Sequence, residues 1–195
     1  RKDIRNAVEA AASTSAWAGM TGHGRAQVLY YLAENLQQFA GELTELLGQS
    51  KHAHEGELAA SVARLMYYAA WADKFDGRVH STITRHITIA MNEPLGVMGL
   101  IAPPDYPLLG AVSLLAPVLA TGNTAVLVPS TPSPLAALKL VQVLETSDVP
   151  AGTVNIVTGL QHELARTLAD HSAVDGIWQF TDAATSAEIN KRSAG

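Results

Sequence analysis

The chain has 195 residues, 48 % of them apolar and 16 % charged, which suits a folded domain with its own core rather than a disordered segment. Thirteen basic against eighteen acidic side chains leave a net charge of −5 with the basic residues scattered, so neither nucleic acid nor an anionic membrane is expected as the main partner. Cysteine is absent, which removes disulfide scaffolds, thiolate metal sites and a cysteine nucleophile together. No signal peptide precedes the alanine-rich pattern that begins after Arg5, and the first residue is not methionine; the chain is expected to be a cytoplasmic piece of a longer polypeptide.

In chain order, the first part predicts three helices. Asp3 can cap the first, whose apolar positions Ile4, Val8, Ala11, Ala12 and Trp17 follow helical spacing. Gly22 and Gly24 interrupt, and a second helix is predicted through Val28, Leu32, Leu36, Phe39 and Leu43 to about Leu47. A third begins near Glu55 and carries Val62, Leu65, Met66 and Ala69 before Gly77 stops it. Residues 81–89 then alternate apolar and polar, the pattern of a strand with one wet face. Val97 to Ala120 is long and apolar enough to raise the question of a membrane span, but Pro103-Pro104-Asp105-Tyr106-Pro107 breaks it into a buried strand, a turn and a buried helix. Beyond Val97 the rhythm is strand and helix in turn: strands at 97–102, 124–128, 153–157 and 174–180, helices at 107–121, 132–146, 161–170 and 184–193, with Gly122 placed to end the first of these helices. Such alternation predicts an α/β fold, a Rossmann-like parallel sheet with right-handed crossovers.

Parallel sheets of this kind bind ligands beyond the carboxyl ends of their strands. The residues to watch are therefore Pro103 to Pro107, Pro129-Ser130-Thr131, Thr158-Gly159-Leu160-Gln161 and Thr181-Asp182-Ala183. Neither a G-x-G-x-x-G fingerprint nor a phosphate-binding P-loop occurs.

Several runs together resemble the aldehyde dehydrogenase superfamily: Tyr67 to Lys74, Glu93-Pro94-Leu95-Gly96-Val97, Ile101 to Pro107, Ala116 to Thr124, Val149 to Gly159, and Phe180-Thr181. The resemblance implies the coenzyme-binding half of that fold: N-terminal helices (1–76), a bridging β-hairpin used in oligomerisation (77–96) and a Rossmann-like region (97–195). It also implies NAD(P)-dependent oxidation of an aldehyde by a cysteine thiolate, with a glutamate that activates water; both residues would lie downstream of this chain.

At its ligand-facing ends the sequence departs from the family pattern. Asp105 stands where the family has an asparagine that steadies the oxyanion, and Pro104 replaces the preceding tryptophan. A carboxylate cannot donate to an oxyanion, and one such donor is worth about 3–4 kcal/mol of barrier. Val128 and Thr131 occupy the positions of a lysine and a glutamate that serve the adenine ribose. Gln161 follows Gly159 where a second small residue is common, and Thr181-Asp182-Ala183 replaces a Thr-Gly-Ser that approaches the pyrophosphate. The run Pro103 to Gly110 is most similar to the non-catalytic second domain of family-16 aldehyde dehydrogenases.

Plainer readings stand beside these. Asp105 can be a turn residue rather than a general base, Asp182 can cap the following helix, and His52-x-His54-Glu55 reads as a solvated surface rather than a metal site. Ser113 and Ser130 lack a nucleophile-elbow context. The expectation is a non-catalytic domain with no bound cofactor of its own, the parent using NAD or NADP. It would assemble as a homo-oligomer through the 80–91 strand and be fused to or packed on a catalytic aldehyde dehydrogenase domain. The alternative is a coenzyme-binding fragment of an active enzyme.

Overall fold

A computed structural model describes residues 1–194. Four helices come first: α1 (Lys2–Ser13), α2 (Gly22–Gln38), α3 (Ala40–Gly48) and α4 (Glu57–Ala72). A two-stranded antiparallel hairpin follows, β1 (Arg78–His80) with β2 (Thr88–Ala90). The rest runs β3 (Val97–Ile101), α5 (Pro107–Ala120), β4 (Thr124–Val128), α6 (Leu135–Glu145), β5 (Val154–Ile156), α7 (Gln161–Ala169), β6 (Gly176–Gln179) and α8 (Ala183–Ser193).

The last four strands form one parallel sheet in the order β5-β4-β3-β6, with Val97 opposite Thr124 and Met98 opposite Gly176. Side chains alternate across a strand, and here both faces are covered, which is why β3 and β4 read as continuous apolar runs. Leu100, Ala102, Ala125 and Leu127 face a core built with α2, α4, α5 and α6. Val97, Ile101, Val126 and Val128 face a second core with Ile4, Val8 and Ala11 of α1, Leu168 of α7 and Ile189 of α8. Gly122 has φ of +86° just past α5 and ends it, as the sequence predicts.

Three elements differ from their predicted form. Trp17 is not in the first helix, which ends at Ser13; it is buried beyond it, and its indole N–H donates to Leu119 O at 3.0 Å. The long second helix is two helices broken at Phe39, so that Leu43 and Leu47 of α3 turn into the core beside α6. The Lys139 ammonium on α6 sits 4.5 Å from the Phe39 ring and bonds Glu42, which holds the break on its outer side. The alternating stretch 81–91 is not one strand: only Thr88–Ala90 pairs, with Arg78–His80, and residues 81–87 connect them. Gly77 is required where this hairpin starts, because a Cβ there would lie 2.4 Å from Ala90 O.

Candidate functional site

The carboxyl ends of the four parallel strands converge on one edge of the sheet, and each loop there is tied down by identifiable bonds. After β3, Tyr106 adopts the left-handed conformation with φ of +57°, a strained position for a non-glycine residue. The segment 50–57 holds it. Tyr106 N donates to His52 O at 3.0 Å, and the Tyr106 ring stacks on His54 with centroids 4.0 Å apart. His52 Nδ1 lies 2.9 Å from Asp105 Oδ1. Glu57, 3 % exposed at the start of α4, accepts from the first-turn amides of α5, Leu108 N at 2.7 Å and Leu109 N at 2.9 Å, and from His54 N at 3.1 Å. The two histidines lie at the surface, as the plainer reading expects, His54 exposed and His52 half-exposed, and both also contact the β3–α5 loop. Among the described residues, no group of three or more His, Asp or Glu side chains could hold a metal ion.

After β4, Val128 is fully buried in the core on the α1 side, and its side chain does not line the ligand-facing crevice. Ser130 donates to Pro104 O at 2.7 Å, and Thr131 Oγ1 donates to Gly159 O at 3.2 Å, which links the loops after β3, β4 and β5. Gln161, the first residue of α7, adds a further bridge through its amide to Ala102 O and Pro129 O.

After β6, Thr181 donates to Gln179 Oε1 at 2.5 Å, and Asp182 is the N-cap of α8. The Asp182 carboxylate accepts from Ala184 N and Thr185 N, both at 3.0 Å, and from Thr185 Oγ1 at 2.7 Å. These bonds, the Thr185 hydroxyl first, hold its carboxyl below the usual carboxylate range. Ala183 opens the helix and contributes no hydroxyl.

A cavity of about 530 Å³ lies at this edge, with Pro104, Thr131, Gln161, Phe180, Thr181 and Asp182 among its walls. Of the residues singled out from the sequence, Thr131, Thr181 and Asp182 thus line one cavity, with Gly159 joined to them through Thr131; Ala183 is not among its walls. Asp105 stays on the far side of the β3 loop with His52, and Val128 points into the core. A second cavity of about 360 Å³, mostly apolar, lies between α4, α5 and the end of β6 against Tyr68, Tyr106, Leu109, Trp178 and Phe180.

The fold and this sheet edge have known counterparts. The model of the Aldehyde dehydrogenase family matches residues 1–195. The chain belongs to the aldehyde dehydrogenase family. An aldehyde dehydrogenase of Agaricus bisporus is 36 % identical over 183 residues, covering 90 % of this chain and 37 % of that protein. Human retinaldehyde dehydrogenase 3 is 32 % identical over 203 residues, covering all of this chain and 40 % of that protein. Among solved structures, an aldehyde dehydrogenase from Bacillus cereus in its NAD⁺ complex superposes with a TM-score of 0.93 at 30 % identity, over 99 % of this chain and 41 % of that one. PnpE in complex with nicotinamide adenine dinucleotide gives 0.95 at 29 % identity, again over 99 % and 41 %. This aldehyde dehydrogenase chain therefore spans about 40 % of the length of the relatives it matches. Among its described residues, no helix is long and apolar enough to cross a membrane.

Two braces were not legible as such in the sequence. Glu57 is a polar residue at a helix start, and nothing local ties it to amides 51 and 52 positions later. Gln161 is marked in the sequence only by its place after a strand, and its two acceptors come from loops that the sheet alone brings together.

Proposed function

We propose that this chain is a non-catalytic, assembly-forming domain of an NAD(P)-dependent aldehyde dehydrogenase, of the kind found as the second domain of family-16 members. One observation carries the reading: the N-terminus of α8 is already occupied by an anion of the chain's own, the Asp182 carboxylate. Helix N-termini attract phosphates through free amides and the positive end of the helix dipole. With both amides taken, a pyrophosphate arriving there would meet a fixed negative charge instead of donors. The other substitutions act in the same direction. Buried Val128 offers no hydrogen bond to a ribose, Ala183 offers no hydroxyl, and Asp105 cannot donate to an oxyanion. A dinucleotide therefore fits the donor set at this edge poorly, and no catalytic step is assigned to these residues.

Assembly is then the role left to explain, and the hairpin supports it. Val79, Ile83, Ile87, Ile89 and Met91 are all largely exposed on β1, β2 and their connection. A short antiparallel pair carrying that much apolar surface is the kind of edge that a second subunit covers. The expected partners are further copies of the chain and a catalytic aldehyde dehydrogenase domain.

A second reading is favoured by coverage: the chain corresponds to about 40 % of its relatives, so the thiol and the activating glutamate can reside elsewhere in an active parent enzyme. Titration of the chain with NAD⁺ and NADH separates the two. Trp178 lies on β6, two residues before Phe180 at the cavity wall, so its fluorescence reports occupancy. Absence of saturable binding up to about 1 mM is expected; a dissociation constant near 1 μM, about 8 kcal/mol of binding, would return the chain to the working coenzyme domains.

A further inference from the structure

The Gln161 side chain crosses the crevice beyond the sheet. Gln161 Nε2 donates to Ala102 O at 2.7 Å and to Pro129 O at 3.0 Å. Those carbonyls belong to the residues that directly follow β3 and β4. The ladder between these strands reaches its last bond where Ala102 N donates to Val128 O at 3.0 Å; in this register Ser130 N would serve Ala102 O next, and it makes no such bond. Among the described residues no backbone amide donates to either carbonyl. A primary amide has two hydrogens, and here each finds one of them. Beside this bridge Ser130 ties its loop to Pro104, and Thr131 ties the same loop to Gly159. The loops after β3, β4 and β5 are thus laced together, with the Gln161 amide as the innermost tie.

We propose that Gln161 is the residue that excludes a dinucleotide from this cleft, by occupying the carbonyls at the β3 and β4 ends and holding the three loops closed over the crevice. The inference rests on the reading of the domain as a closed coenzyme site and names the side chain that enforces the closure. It is separate from the effect of Asp182, which acts at the α8 end of the same cavity. A ligand entering between the loops must expel the amide and leave Ala102 O and Pro129 O without donors, a loss that an acceptor buried among protein atoms does not recover. A glycine or alanine at position 161 would leave the carbonyls open to a ligand hydroxyl or to water. The Gln161 side chain therefore sets specificity against ligands that need this space.

The test compares two variants of the 195-residue chain. The first carries Thr131→Glu, Asp182→Gly and Ala183→Ser, which places the side chains implied by the family resemblance at three of the other departing positions. The second adds Gln161→Gly. Titration with NADH, followed by its fluorescence, is expected to show binding at least about tenfold tighter for the second variant. Equal affinity, including no saturable binding by either, overturns the proposal while the closed-site reading stands on the unsubstituted chain's own failure to bind. Tight binding by the unsubstituted chain overturns both. Folding of each variant is checked by its thermal melt. An independent measurement uses Gln161→Ala alone: amide exchange at Ala102 and Val157, the last bonded amides at the β3 and β5 ends, is expected to accelerate about tenfold as the tie is lost. Unchanged exchange there shows that Gln161 does not hold the loops, and the proposal falls.

Discussion

Glu57 shows how much of the β3–α5 loop depends on one side chain that touches no ligand. The first amides of any helix have no partner within it, and in α5 two of them, at Leu108 and Leu109, are turned to protein rather than to water. Glu57→Ala leaves both without an acceptor and is expected to destabilise the chain by about 1–3 kcal/mol in urea denaturation. Glu57→Gln keeps one carbonyl oxygen and should lose less. If both melt like the parent, water replaces the carboxylate and the loop is not held from α4. Asp182 makes a contrasting case at α8, because its effect is tied to pH. Its carboxyl is held below the usual range by bonds that only the folded state makes. Its contribution to stability is therefore complete above the ordinary carboxylate range and is lost as pH falls through the lowered value. Amide exchange at Ala184 and Thr185 should rise over that acid window, and Asp182→Ala should abolish the pH step and leave exchange fast throughout. Of these two carboxylates only Asp182 was legible in the sequence. An aspartate just before a helical pattern is a local cap signature, whereas the Glu57 interaction exists only once α4 and α5 have packed.

Among the elements, the strands and helices after Val97 follow their predicted positions to within a few residues, because burial on both sheet faces leaves only one periodicity for each segment. The errors fall where that constraint is missing. A helical pattern continuous from Val28 to Leu47 cannot reveal a break at Phe39, since the residues on both sides of it are buried with helical spacing and only the direction of α3 changes. Residues 81–89 alternate as a strand should, but the hairpin has no core beneath it, so the alternation fixes neither its length nor its partner. Ile83 and Ile87 stand clear of the rest of the protein, at 107 % and 82 % relative exposure. Replacing both by serine is thus expected to shift unfolding by no more than about 0.5 kcal/mol. The same double substitution should reduce self-association in sedimentation experiments if the hairpin is the contact between copies. Intact association with both isoleucines gone would move the interface elsewhere.

Across the whole molecule, stability is distributed unevenly, and the uneven part borders the cavity. β3 and β4 lie in the middle of the sheet, with almost every side chain buried and helices on both faces. Leu127→Ala removes a fully buried side chain from that centre, and a loss of about 2–5 kcal/mol is expected, read as a single cooperative transition. β6 is an edge strand with half-exposed side chains, and α8 buries only Ile189. What fastens α8 beyond that is largely two exposed ion pairs to α7 and the residue after it: Arg166 with Glu188 at 2.8 Å, and Arg192 with Asp170 at 2.8 Å. Exposed pairs are screened by salt, whereas the apolar contacts of the sheet centre are not. Hydrogen exchange should accordingly find α8 and β6 opening well before β3 and β4. Added sodium chloride should widen the gap by loosening the α8 side alone. Because Asp182 and Phe180 belong to this looser strip while Gln161 ties α7 to the firm centre, local opening would free the pyrophosphate side of the cavity and leave the β3–β4 crevice shut. A uniform response to salt across both halves would show that the ion pairs do not fasten the edge, and that the cavity opens and closes with the fold as one unit.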